Sequence, residues 1–414
     1  MGGEASEAAK AAERVARESY GRLIAFLAAR TRDVAAAEDA LAEAFVAALR
    51  VWPVEGVPRN PDAWLLTVAR RRHIDAVRQW QTRRVGDEPP MLMADDVEAL
   101  SAALEDIPDP RLALMFACAH PAIEPATRAP LILQTLFGLN AAEIAAVFLV
   151  SPATMSQRLV RAKTRIKEAG IPFRIPDREQ LPERLDAVLE AIYAAYSKAW
   201  SEIGEVTCSA LVGESLWLGR LIVRLLPEEP EPKGLLALIL YTEARRSARR
   251  GPQDDYIPLE RQNVTLWDEA LIRGAETLLR EASAGGPSGR YQIEAAIQSA
   301  HIARRLTGID NRAAVVALYD HLLALTGSPV AALNRAAAVG ELEGPAAGLA
   351  ALDPIAADRR FADYQPYWAT RAHLLALAGH KEEAREALTV AVGLSTDSAV
   401  RNYLRSLIDS RNDG

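Results

Sequence analysis

The stretch that decides the fold is Asn140-Ala141-Ala142-Glu143-Ile144-Ala145-Ala146-Val147-Phe148-Leu149-Val150-Ser151-Pro152-Ala153-Thr154-Met155-Ser156-Gln157-Arg158-Leu159-Val160-Arg161-Ala162-Lys163. Asn140 is placed to cap a helix, and Glu143, three residues on, completes a capping box. Ser151 is placed to cap a second helix with Pro152 at its first position, where a missing N–H costs nothing. Met155, Leu159, Ala162 and Ile166 follow the i, i+4, i+7, i+11 spacing and are expected to pack inward. Thr154, Arg158, Arg161 and Arg165 make a parallel stripe, and Gln157 lies nearly opposite the apolar face. Two short helices, a tight turn and a basic second helix describe a helix-turn-helix, whose second helix enters a major groove. A basic surface hairpin would share the charge, but would not need both caps.

Outward from this motif the charge is segregated. The whole chain of 414 residues carries a net charge of −7, which argues against a protein that coats nucleic acid. Yet Arg70 to Arg84 holds six arginines against Asp75, a net +5, and Arg158 to Glu168 a net +4. Between them Asp95, Asp96, Glu98, Glu105, Asp106 and Asp109 give −6, with no basic residue before Arg111. Two basic blocks flanking an acidic one suit a protein that grips nucleic acid at two places.

The remainder reads as helix. Asp33 can cap a helix whose Ala37, Leu41, Ala44, Phe45, Ala48 and Leu49 share a face, ended by Trp52-Pro53. A loop with Gly56, Pro58 and Pro61 follows, then a helix from about Asp62 into the arginine cluster. Gly86 to Met93 marks a linker, Arg111 to Ala169 a second helical group, and Gly170 to Pro176 a boundary. Beyond Pro182, Ser328-Pro329, Gly344-Pro345, Tyr364 to Ala378 and Lys381 to Leu394 suggest stacked helix pairs, with Ala372, Ala376, Ala384 and Ala387 allowing close approach. An all-α chain of two small domains and a helical-repeat extension is expected.

Several functions are disfavoured. No run of about 18 apolar residues suggests a membrane span, and the N-terminus lacks a secretory pattern, so a cytoplasmic location is expected. Cys118 and Cys208 cannot frame disulfides or a four-cysteine zinc site, and Cys118 with His120 reads as packing rather than metal binding. The tryptophans at 200, 217 and 267 read as core anchors. No nucleophile elbow, zinc-protease motif, phosphate-cradling loop or dinucleotide fingerprint appears, so neither an enzyme nor a cofactor is expected.

Over roughly Tyr20 to Gly170 the sequence resembles a bacterial RNA polymerase sigma factor of the extracytoplasmic-function class (group 4). Ala37-Glu38-Asp39-Ala40-Leu41-Ala42-Glu43-Ala44-Phe45, Asn60-Pro61-Asp62-Ala63-Trp64-Leu65 and Val68 to Arg78 carry the first domain, and the helix-turn-helix the second. Asp109-Pro110-Arg111-Leu112, Cys118-Ala119-His120-Pro121, Trp267-Asp268, Tyr291 to Ile297 and Pro329 to Ala336 resemble the subgroup with a long tetratricopeptide-like C-terminal extension. Departures are Leu149 where many such turns have glycine, and Ala42-Glu43 where Gln-Glu is common.

The resemblance implies a first sigma domain at 10–84, an acidic linker at 85–108, a second sigma domain at 109–170 and the extension at 177–414. It implies core RNA polymerase (β and β′ subunits) and promoter DNA as partners, with an intramolecular or protein partner for the extension. Asp39, Glu43 and Phe45 would dock on the β′ clamp helices, while the acidic linker would thread basic polymerase channels. The loop from Pro53 to Pro61 would receive a flipped base, and Asn60, Trp64, Arg70, Arg71, His73 and Arg78 would hold the minus-ten, melting element. Thr154, Ser156, Gln157, Arg158, Arg161, Lys163 and Arg165 would read the minus-35 element. A free-standing helix-turn-helix regulator with a helical sensor domain is the alternative, but it would not need the first domain.

Overall fold

The computed structural model describes residues 2–81, 110–201 and 206–412, and forms two compact units, 1–215 and 216–414. The described residues are helical, with no β-strand among them. The acidic linker lies outside the described residues.

In the first unit, α1 (Gly2–Thr31) and α2 (Val34–Glu55) pack as a hairpin, and α3 (Pro61–Gln81) lies against both. The tight connection works because Arg32 adopts a left-handed φ of 54° and Asp33 caps α2, accepting from the Ala36 amide at 3.1 Å. Ala37, Ala40, Ala44 and Ala48 are buried along α2, so a row of small residues brings its neighbours close. Two expectations change here. Leu49 is half exposed rather than core. The helix also continues through Pro53 to Glu55, ending where Gly56, at φ 86°, returns its amide to the Trp52 carbonyl. One turn past the proline is tolerated because little helix remains to distort.

Four helices follow: α4 (Pro110–Cys118), α5 (Pro125–Thr135), α6 (Ala141–Val147) and α7 (Pro152–Glu168). The Cys118 side chain is fully buried against the Thr135 hydroxyl at 3.6 Å, and burial pushes its thiol up to about 12, which makes it inert packing. Beyond the boundary at Gly170, α8 (Leu181–Ser201) packs onto α5 and α4. Its buried Arg184 donates to the Phe116 carbonyl at 3.2 Å. The first unit therefore continues past the end of the helix-turn-helix, through α8 and into α9 (Val206–Leu225).

The second unit contains α10 (Pro230–Glu243), α11 (Glu269–Ser283), α12 (Arg290–Thr307), α13 (Arg312–Thr326), α14 (Pro329–Glu343), α15 (Pro345–Ala356), α16 (Gln365–Leu377), α17 (Lys381–Leu394) and α18 (Ser398–Asn412). Successive helices pack on one another, and α16 meets α17 through Ala372, Ala384 and Ala387, all buried. Local caps set the starts: Asp268 accepts from Ala270 and Leu271 amides, and Glu231 reaches from α10 to the Tyr291 amide at 2.9 Å. The segment between α10 and α11 is anchored by Arg250 on Asp397 at 2.5 Å and by Arg305 on the Gln262 carbonyl at 2.9 Å.

Helices α14 and α15 approach closely, and a Cβ on Gly348 would lie 2.8 Å from the Gly340 Cα. Gly348→Val should therefore destabilise the second unit by about 1–3 kcal/mol through overpacking, seen as a lower thermal midpoint of the full chain. A chain ending after Pro176 should lose the cover that α8 gives α4 and α5. It should unfold at lower denaturant or precipitate, as checked by chemical denaturation and light scattering.

Candidate nucleic-acid interface

The expected caps form. Asn140 Oδ1 accepts from the amides of Ala142 and Glu143 at 3.0 Å each, and Glu143 Oε2 accepts from the Asn140 amide at 2.8 Å. Ser151 Oγ accepts from the Thr154 amide at 3.2 Å, with Pro152 at the first position of α7. Between the helices Leu149 takes a φ of 52°, a left-handed turn made without the usual glycine and costing about 1–2 kcal/mol. Met155, Leu159, Ala162 and Ile166 are all buried, which fixes the opposite side of α7 as its outer face.

On that outer face Thr154, Ser156, Gln157, Arg161 and Arg165 are exposed and Arg158 is half-buried. The arginine stripe walls a shallow cavity of about 270 Å³ whose other side is Ile123, Glu124 and Thr127 at the start of α5. Charge-assisted donors beside a helix N-terminus make a surface suited to phosphate oxygens. Lys163 is placed elsewhere. Only about 40° round the helix from Leu159, it faces α2 and pairs with Glu38 at 2.5 Å, its side chain 14% exposed. Burial pushes the Glu38 carboxyl up, and Lys163 opposes that shift. The sequence motif marked Lys163 as basic, but nothing local could show that a carboxylate 125 positions away would cover it.

The first domain separates its residues differently. Asn60 accepts from the Ala63 amide at 3.1 Å and so caps α3. Trp64 is half-buried, edge-on to Trp52 with centroids 5.5 Å apart. Arg70 is exposed and Arg71 half-buried, on the same helix. His73 and Arg78 lie on α3, their side chains outside the described residues. Asp39 and Glu43 are exposed on α2, Glu43 facing Arg72 at 3.7 Å, and Phe45 is half-buried. The sequence reading missed Val46 and Leu49, 49% and 50% exposed one turn from Phe45, because Leu49 fitted the apolar spacing of the core.

The helix-turn-helix is also braced from the C-terminal side. Lys198 on α8 reaches the capping-box residue Glu143 at 3.3 Å, and Arg111 at the start of α4 pairs with Glu214 on α9 at 2.8 Å. Among the described residues no cluster of His, Cys, Asp or Glu could hold a metal ion, and no helix is long and apolar enough to cross a membrane. His120 Nδ1 accepts from the Ala122 amide, so this imidazole shapes a turn.

Comparison with known proteins bears on the same segments. Residues 15–84 match the family described as sigma-70 region 2, and residues 113–166 match sigma-70, region 4. Residues 184–283 match a family of unknown function, DUF6596. The chain is 37% identical over 385 residues to an uncharacterized protein of Rhizobium meliloti (strain 1021), covering 91% of this chain and 90% of that one. No solved structure matches. Sigma-70 regions 2 and 4 thus match in order on the two helical groups that carry the exposed basic residues, and a helical C-terminal domain follows them.

Proposed function

We propose that the protein is an extracytoplasmic-function sigma factor that binds core RNA polymerase and directs promoter recognition, melting and initiation. The observation that carries this reading is the Ser151-capped α7, which presents Gln157, Arg158, Arg161 and Arg165 outward on a buried apolar base. In this reading α7 enters the major groove at the minus-35 element, its N-terminal polar residues at base edges and its arginines on guanine or phosphate. The arginines of α3 and the Trp64 region hold the minus-ten element through backbone charge and stacking. Asp39, Glu43 and Phe45 on α2, joined by Val46 and Leu49, form the docking face for the β′ subunit. The C-terminal helices form a tetratricopeptide-like extension that contacts the sigma domains and sets whether they engage polymerase.

Run-off transcription with purified core polymerase on genomic fragments tests the function directly, and absence of any specific transcript would overturn it. A chain lacking residues after Asp363 tests the regulatory role, which falls if that chain transcribes and responds to signals as the full chain does. Two substitutions separate the surfaces. Arg158→Ala or Arg161→Ala in holoenzyme should weaken minus-35 recognition by about 1–3 kcal/mol where the arginine makes a bidentate base contact, and should blunt sensitivity to minus-35 mutations. Leu49→Asp, at a half-exposed position, should preserve the helical circular dichroism yet lower core affinity at least about tenfold in a polymerase pull-down titration.

A further inference from the structure

The outer face of α7 carries an apolar residue that the contacts proposed above leave unused. Val160 is 63% exposed, and it is the one large hydrophobic side chain of α7 that is not buried. Valine is a poorer helix former than alanine or leucine, and at this exposed position no packing offsets that. Its place on the helix points to a use. At about 100° per residue, Ala153, Gln157, Val160, Arg161 and Thr164 fall within about 50° of the line opposite the buried row of Met155, Leu159, Ala162 and Ile166. All five are exposed. Arg161 lies on the edge nearer Arg158 and Arg165. Val160 lies on the other edge, toward Lys163 and Lys167, which are paired with Glu38 and Asp33.

Uncommitted polar groups on this face are fewer than the sequence suggests. Ser151 Oγ and Thr154 Oγ1 share a hydrogen bond at 2.8 Å within the cap. Thr164 donates its hydroxyl to the Val160 carbonyl at 3.1 Å, one turn back on the same helix. Gln157 has no hydrogen bond to a described residue. The middle of the face therefore offers a partner one carboxamide beside one branched aliphatic group. A major groove presents the complement of that pair at A·T base pairs. Adenine offers N7 as acceptor and N6 as donor to a bidentate carboxamide, and thymine alone carries a 5-methyl group. Against cytosine or a purine edge, Val160 would cover polar atoms without giving them a hydrogen bond. Residues three apart on a helix have Cβ atoms about 5–6 Å apart. Successive base pairs stack about 3.4 Å apart, so the two side chains reach the same base pair or neighbouring ones.

We propose that Val160 is a specificity-determining residue: it packs on the 5-methyl group of a thymine within one base pair of the adenine held by Gln157. The inference rests on the sigma-factor reading above and adds to it the base that one position of the minus-35 element must carry. Arginines along one margin hold phosphate or guanine, while the Gln157 and Val160 pair selects an A·T step between them.

The test uses holoenzyme assembled from the full chain and core polymerase, on a promoter fragment that run-off transcription selects. Each thymine of the minus-35 region is replaced in turn by deoxyuridine, which removes the methyl group and keeps every hydrogen-bonding atom. One replacement should weaken binding about fourfold, the worth of one buried methyl-sized group. Val160→Ala should weaken binding to the thymine promoter by a similar factor, and that variant should no longer distinguish thymine from deoxyuridine at this position. Alanine is the better helix former, so the variant's circular dichroism and thermal midpoint should not fall. Replacing adenines by 7-deazaadenine, which lacks the N7 acceptor, locates the Gln157 contact. The replacement that weakens wild type but not Gln157→Ala should lie within one base pair of the sensitive thymine. A minus-35 region with no methyl-sensitive thymine, a thymine as sensitive in Val160→Ala as in wild type, or a Gln157 contact placed elsewhere overturns the inference while transcription persists. Absence of any specific transcript removes the sigma-factor reading, and the inference with it.

Discussion

Every helix begins with amide groups that have no partner within it, and in a chain whose described residues form helices and no strand this constraint recurs at each element. The protein meets it with side chains at fixed offsets: Asp33, Asn140 with Glu143, Ser151, Asp268 and Ser328. Those caps fix where these helices start, and so fix which of their residues face inward. The turn between α6 and α7 depends on this most. The Val150 amide closes the end of α6 on the Ala145 carbonyl at 3.0 Å and Ser151 caps α7, so Leu149 between them takes a left-handed conformation and the outward register of Gln157 and the arginines follows.

Caps are local, and that explains how much of the molecule could be read before any coordinates. The box at Asn140, the cap at Ser151, the inward row of Met155 to Ile166 and the Lys381–Leu394 helix follow from neighbours within a few positions. What the local pattern does not show lies where a distant partner decides. Leu49 fits the spacing of a core residue, but it is half exposed on α2. Lys163 belongs by sequence to the basic stripe, but by helical angle it is the residue nearest the buried face, and Glu38 claims it.

Ion pairs in the first unit differ in weight for the same reason. Arg72 with Glu43 is exposed at 3.7 Å and worth little. Glu38 with Lys163 is largely buried, and removing one partner would strand the other charge away from water. Such a pair gives modest net stability but strong specificity of contact, because only the matched partner is tolerated beside it.

The grip of α8 on α4 and α5 has a consequence for inheritance. The helix lies within the segment that matches DUF6596, yet it supplies part of the packing beneath the helix-turn-helix. The recombinable block therefore ends beyond Gly170, and a helix-turn-helix taken from a chain without α8 would arrive without a surface shaped for it. The helix-turn-helix and the C-terminal module are in this way bound to travel together, since exchanging either alone leaves an apolar face uncovered on both pieces.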